Sequence, residues 1–320
     1  MSLSNPISHS PRNNTNALAR LALPGVVASV LGLLAGSAMA QAPAPDAAAP
    51  DAGPWTVTKH IDLAYPYVLR GATTTYGNGA PLGNAGADAP ESSRVALQWG
   101  IDFVHTSGWS FGYWASTINY SYRQLGRSYD DRSITDFQRA KSVENDFYGA
   151  YSGNIVGDLG YTLGMTGYYY INGVHSNALE TKAGLTYGPF SLTAQTLLND
   201  VVWGNAGDTY WSAVYTQPLA YGLTFTGTLG AYTYQKEGKF LGTRDTAMGV
   251  DCAANESFVV NGCFVGNRPV GSAFRHLTLA LSGPIPSTPV TWTVAAIIGG
   301  DNRFGIKQDT KMTGSISVGF

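Results

Sequence analysis

Ten polar or charged side chains fall on one parity of a period-two pattern: His60, Asp62, Arg70, Gln98, Asp102, Glu144, Asp146, Glu180, Lys182 and His276. On the inner wall of a narrow barrel, such groups fill or constrict the bore and select solutes by charge. Arg70, Asp62, Asp102 and Asp146 could instead form a closed ion-pair network that braces a plugged interior, because unpaired charge away from water is costly. Bracing and selection are compatible. Glu180 and Lys182 lie two apart on one face and are expected to neutralise each other.

Catalysis is the second chemistry to weigh, since some small outer-membrane barrels cleave lipids with a Ser-His pair on the outer wall. His276 with Ser272 or Ser282, and His105 with Ser107, are the available fragments. Neither has a third member or a nucleophile motif, and parity turns His276 toward the lumen, so no catalytic residue and no enzyme is expected; a lipid-modifying enzyme, or a structural or adhesive barrel without transport, is the alternative to a channel. Cys252 and Cys263 are the only cysteines and share one long loop, which in an exported protein predicts a disulfide. Asp251 and Glu256 lie near them without a histidine, so the loop makes no zinc set, and neither a metal nor another cofactor is expected.

The elements that must carry these groups are strands. Period-two alternation predicts twelve of them, over 56–70, 94–105, 109–122, 143–155, 159–171, 178–187, 190–199, 209–217, 223–234, 274–282, 289–299 and 309–320. Each is long enough to cross a bilayer when tilted. Along the second, Val95, Leu97, Trp99, Ile101 and Phe103 alternate with Ala96, Gln98, Gly100, Asp102 and Val104. The last puts Met312, Ile316, Val318 and Phe320 on one side and Lys311, Thr313, Ser315 and Ser317 on the other. The connections 105–108, 156–158, 188–189, 218–222 and 283–288 are short. They alternate with 72–93, 123–142, 172–177, 200–208, 235–273 and 300–308, which are mostly longer. Short periplasmic turns and long external loops are the pattern of outer-membrane barrels.

Composition points the same way. Charged residues make up 12% of the chain, about half the usual share, beside 39 glycines and 12% aromatics. A soluble sandwich or lipocalin-like barrel shows the same alternation but would carry Lys and Glu on its outer face. The formal charge of −2 argues against nucleic acid as a partner. Outer-membrane lipid and small solutes remain as partners, and the sequence leaves open whether copies of the chain associate.

Arg12 and Arg20 precede an apolar run ending at Ala38-Met39-Ala40, the form of a secretory signal peptide over 1–40 cut before Gln41. Residues 41–54 are mostly Ala, Pro, Asp and Gly and read as a flexible periplasmic lead. The expected fold class is all-β, a transmembrane antiparallel barrel over 55–320 in the outer membrane of a Gram-negative bacterium. Trp55, Trp109, Tyr113, Trp203, Trp211, Tyr221 and Trp292 read as interfacial girdle anchors. A sugar slide of stacked aromatics is the sharper reading and needs Tyr148, Tyr168 and Tyr170 to line up in the lumen.

The stretch Ala64-Tyr65-Pro66-Tyr67-Val68-Leu69-Arg70-Gly71-Ala72-Thr73 resembles the opening strand of the TorF family of porins. Gly108-Trp109-Ser110-Phe111-Gly112-Tyr113-Trp114-Ala115-Ser116 and Glu144-Asn145-Asp146-Phe147-Tyr148-Gly149-Ala150-Tyr151 resemble that family's next hairpin and strand. Pro66 stands where such strands usually carry Asp or Asn. The resemblance implies a channel-forming outer-membrane protein, and it selects Arg70-Gly71 as the position for solute contact.

Overall fold

The computed structural model describes residues 53–73, 89–131, 133–134, 137, 141–245, 249–251, 270–303, 305 and 307–320. The segment 1–40 expected to be a signal peptide, most of the expected lead over 41–54, and Cys252 and Cys263 lie outside the described residues.

Twelve antiparallel strands close into one barrel. They are β1 (Trp55–Tyr65), β2 (Ala96–His105), β3 (Trp109–Ile118), β4 (Ser142–Val156), β5 (Leu159–Tyr170), β6 (Ala178–Tyr187), β7 (Phe190–Leu197), β8 (Thr209–Pro218), β9 (Thr224–Thr233), β12 (Ser272–Pro284), β13 (Val290–Gly299) and β14 (Lys311–Gly319). A small hairpin, β10 (Arg244–Asp245) with β11 (Val250–Asp251), stands apart from the wall. Each strand pairs with its neighbour in the chain, apart from that hairpin. β14 returns to β1, with His60 opposite Gly319, and Lys59 and Phe320 exchange backbone bonds at 3.2 and 3.0 Å. Closure leaves no strand edge unpaired, as a sheet surrounded by lipid requires.

The wall sorts its side chains by parity. Val57, Ile61, Leu63, Leu97, Phe103, Leu163, Met165, Leu185, Leu192, Leu229, Val294 and Ile316 are exposed on the outside, whereas Gln98, Thr162, Thr166, Thr193, Ser212, Thr228, Thr278, Thr293 and Thr313 are buried within. Turns at one end are tight. Gly157 (φ 53°) and Gly188 (φ 54°) open two-residue hairpins whose left-handed backbone suits glycine. The other end carries the long connections, including a six-residue helix, α1 (Tyr122–Arg127), capped by the Ser121 side chain at the Gln124 N–H.

Two expected strands stop well before their expected ends, while the others differ by a few residues at most. The first stops at Tyr65 instead of reaching 70, because Pro66 has no N–H to give the ladder. Its chain then turns inside the barrel, and Tyr67, Val68, Arg70, Gly71 and Thr73 are buried there. The third stops at Ile118, and part of what was expected as loop is α1.

Candidate functional site

Glycines on the inner wall decide where large groups lie. A Cβ at Gly100 would collide with the His60 ring, and one at Gly112 with the Tyr148 ring. Those two glycines let His60 and Tyr148 lie across neighbouring strands. His60 Nδ1 is 2.6 Å from Asp62 Oδ2, and the Tyr148 hydroxyl donates to Asp102 at 2.5 Å. Gln98 donates to the Ser116 hydroxyl at 3.3 Å.

Nearer the long loops, the inward segment crosses the lumen and ties several strands together. Arg70 is held in the left-handed region (φ 46°), which carries its guanidinium across to β6. There it donates to both oxygens of Glu180, Nη1 to Oε1 at 2.8 Å and Nη2 to Oε2 at 2.6 Å, the bidentate fork that suits a planar cation. Nη1 also reaches the Tyr232 hydroxyl at 3.2 Å and Nη2 the Tyr168 hydroxyl at 3.1 Å, while the guanidinium lies 4.8 Å over the Tyr210 ring. Tyr168 donates to Glu180 as well, at 2.9 Å. Next in the chain, Gly71 (φ 71°) sits against His276, where an added Cβ would come within 2.7 Å of the ring. His276 is itself fixed, 2.8 Å from the Tyr210 hydroxyl and 2.9 Å from that of Thr278.

The same segment supplies Tyr67, whose hydroxyl donates to Glu144 at 3.0 Å, and Tyr170 donates to the other oxygen at 3.1 Å. Tyr170 stacks on Tyr122 of α1 at 3.7 Å, and Tyr122 donates to Glu91 at 2.5 Å. Above Arg70 the Tyr122 and Tyr170 rings, with Trp203 and Tyr234, line a cavity of about 80 Å³ at the long-loop end. A second pair, Arg303 to Asp208 at 2.8 Å, lies at its side, and the Arg303 guanidinium is 5.0 Å from the Tyr234 ring.

Burial, then the charge of Glu144, push the Glu91 carboxyl well above its ordinary range. Between the unfolded and folded values the native state therefore binds more protons, so stability falls as pH rises through that window. Glu91→Gln is expected to flatten this slope in urea unfolding of the detergent-held protein between pH 5 and pH 8, a range chosen about the usual carboxylate value. An unchanged slope would show that Glu91 does not carry it.

The structure redraws two expected pairings. Glu180 is matched with Arg70 and not with Lys182, and Lys182 Nζ is buried without a hydrogen-bond partner. Arg70, Asp62, Asp102 and Asp146 form no closed network among the described residues: Asp62 goes with His60, Asp102 with Tyr148, and Asp146 Oδ1 is buried without a hydrogen-bond partner. Trp203 is not a girdle anchor, since it lines the cavity and donates to the Ser176 carbonyl at 3.0 Å. Tyr148, Tyr168 and Tyr170 do lie inside, with their hydroxyls spent on Asp102, Glu180 and Glu144. His105 Nδ1 is 2.6 Å from Ser107 Oγ, but the Ser107 N–H points at the same nitrogen at 3.1 Å, the geometry of a capped turn.

Arg275, Glu91, Tyr67 and Tyr122 escaped the sequence reading. Strict parity would aim Arg275 at lipid; a β-bulge between Phe274 and His276 turns both Arg275 and His276 inward. The cost of an arginine on the outer face was the available signal. Arg275 Nε donates to the Arg70 carbonyl at 3.1 Å and so clamps the inward segment.

Such a wall, apolar outside and crossed within by a hydrogen-bonded strap, defines a closed twelve-strand antiparallel β-barrel. The chain belongs to the family described as bacterial protein of unknown function (Gcw_chp), whose model matches residues 48–281. Similar solved structures include the NanC porin, at 10% identity and a TM-score of 0.39 over 82% of this chain and 98% of that one. OprD of Pseudomonas aeruginosa matches at 12% and 0.35, over 71% and 61%. OmpF of Salmonella typhi, solved with daunomycin, matches at 8% and 0.36, over 83% and 97%. No curated protein matches the chain in sequence. Likenesses this distant carry no function.

Proposed function

We propose that the protein is an outer-membrane channel for passive diffusion of small solutes, exported by the signal peptide over 1–40, and that its bore is constricted by the segment from Tyr67 to Thr73. The observation that carries this reading is the division of the wall, with exposed Leu, Ile, Val and Phe outside and buried Thr, Ser and ionisable groups within. Water-soluble sheets place their charge on the solvent face; here most charge within the wall is turned inward, with Lys59 exposed on the outer face between Val57 and Ile61. The resemblance to the TorF porins at Arg70-Gly71 fits the same reading, because Arg70 reaches across the lumen to Glu180 on β6. Ion preference is set by the inner groups His60, Asp62, Arg70, Gln98, Asp102, Glu144, Asp146, Glu180, Lys182 and His276.

Liposome swelling tests it. Vesicles holding the refolded protein should swell in isotonic solutions of small sugars and amino acids, more slowly as solute size grows. Vesicles with a folded, heat-modifiable barrel that never swell would contradict the channel.

A further inference from the structure

Below the Arg70–Glu180 bridge, the inner wall collects hydrogen-bond donors that meet no acceptor among the described residues. Lys182 on β6 and Gln195 on β7 are cross-strand partners, only 4% and 3% exposed, and neither Lys182 Nζ nor Gln195 Nε2 has a partner. The next residue around the wall from Gln195 is Tyr210, over whose ring Arg70 lies, and Arg70 Nε is likewise buried and unpartnered. The Arg70 charge is close enough to bear on Lys182.

On its other side Lys182 faces Gly164, and beyond that Ala150, so its own rung carries no counter-charge on β5 or β4. Glu180 does not serve, because Arg70 and Tyr168 occupy its oxygens. Asp146 stands opposite Tyr168, in the rung of Ala178, four residues along β6 from Lys182. Turning the Gln195 amide end for end would offer Lys182 a neutral acceptor and still leave its charge uncompensated. A buried ammonium without a counter-charge is costly, and a ligand that brings one removes the cost.

We propose that Lys182, Gln195 and Arg70 Nε form a binding site for a small monovalent anion, a halide or a carboxylate, within the lumen. The site names the charge of the solute that the proposed channel holds, and to that extent it rests on that reading. The ammonium supplies the charge, and the amide and Nε–H supply directed donors for a second oxygen.

The test reads binding, not current: the chlorine-35 line width of dilute sodium chloride in the presence of the refolded, detergent-held protein. Wild type should broaden the chloride line, and acetate should reverse the broadening by competition. Lys182→Met should lose the acetate-sensitive part. Gln195→Glu places a carboxylate beside Lys182, so it should keep the fold, resist heat at least as well as wild type, and lose the same broadening. Acetate-sensitive broadening retained in a folded Lys182→Met or Gln195→Glu protein, or none in wild type, would overturn the site. A barrel that binds chloride this way but never conducts would leave the site standing and remove the channel; a conducting barrel without it would do the reverse.

Discussion

Arg70→Ala should widen the pore and weaken the barrel together. The substitution leaves Glu180 buried with only Tyr168 to donate to it, and removes the cation that lies over Tyr210 and reaches Tyr232. Breaking one side of a buried pair costs about 3–5 kcal/mol, because the remaining charge is uncompensated. The strap keeps Tyr67 on Glu144 and Thr73 on Gln308, and the loss concentrates at its middle. Single-channel conductance should therefore rise, and the midpoint of urea unfolding in detergent should fall. Glu180→Gln added to Arg70→Ala should restore much of the stability but not the narrow bore. Unchanged current-voltage curves in Arg70→Ala would remove Arg70 as the constriction.

Leu163→Arg should be nearly as damaging, for a reason that lies wholly outside the lumen. Leu163 stands near the middle of β5 on the outer face and is 57% exposed. On a water-soluble barrel an arginine there would be close to neutral. In a bilayer, a cation near the midplane of the lipid face costs about 2–4 kcal/mol. The matched control is Thr162→Ser, one residue away on the inner face, which should change little. Equilibrium unfolding from lipid vesicles measures both. A Leu163→Arg protein as stable as wild type would mean that this face does not meet lipid.

The wall was legible in the sequence because its two faces carry opposite side chains at alternate positions, and Leu97 to Phe103 shows that contrast, with Gln98, Gly100 and Asp102 between large apolar residues. The inward strap was not. Tyr67, Val68 and Leu69 look like strand residues, and only Pro66 marks where the ladder must fail. Arg70 reaches the lumen because the chain folds inward, not because of strand parity. Glu180 finds its partner 110 residues earlier in the chain, a pairing that a spacing of two cannot suggest. Arg275 was hidden by a bulge, which shifts parity at one residue and leaves no periodic trace. The helix α1 was read as loop because six residues give too little of a helical period to stand out.

The central claim is that the folded barrel conducts, and the most direct measurement is single-channel current from the refolded protein in a planar bilayer under a salt gradient. Discrete steps with a non-zero reversal potential, both altered by Arg70→Ala, are the predicted result. A folded, membrane-inserted barrel that stays silent in wild type and in Arg70→Ala alike would contradict it.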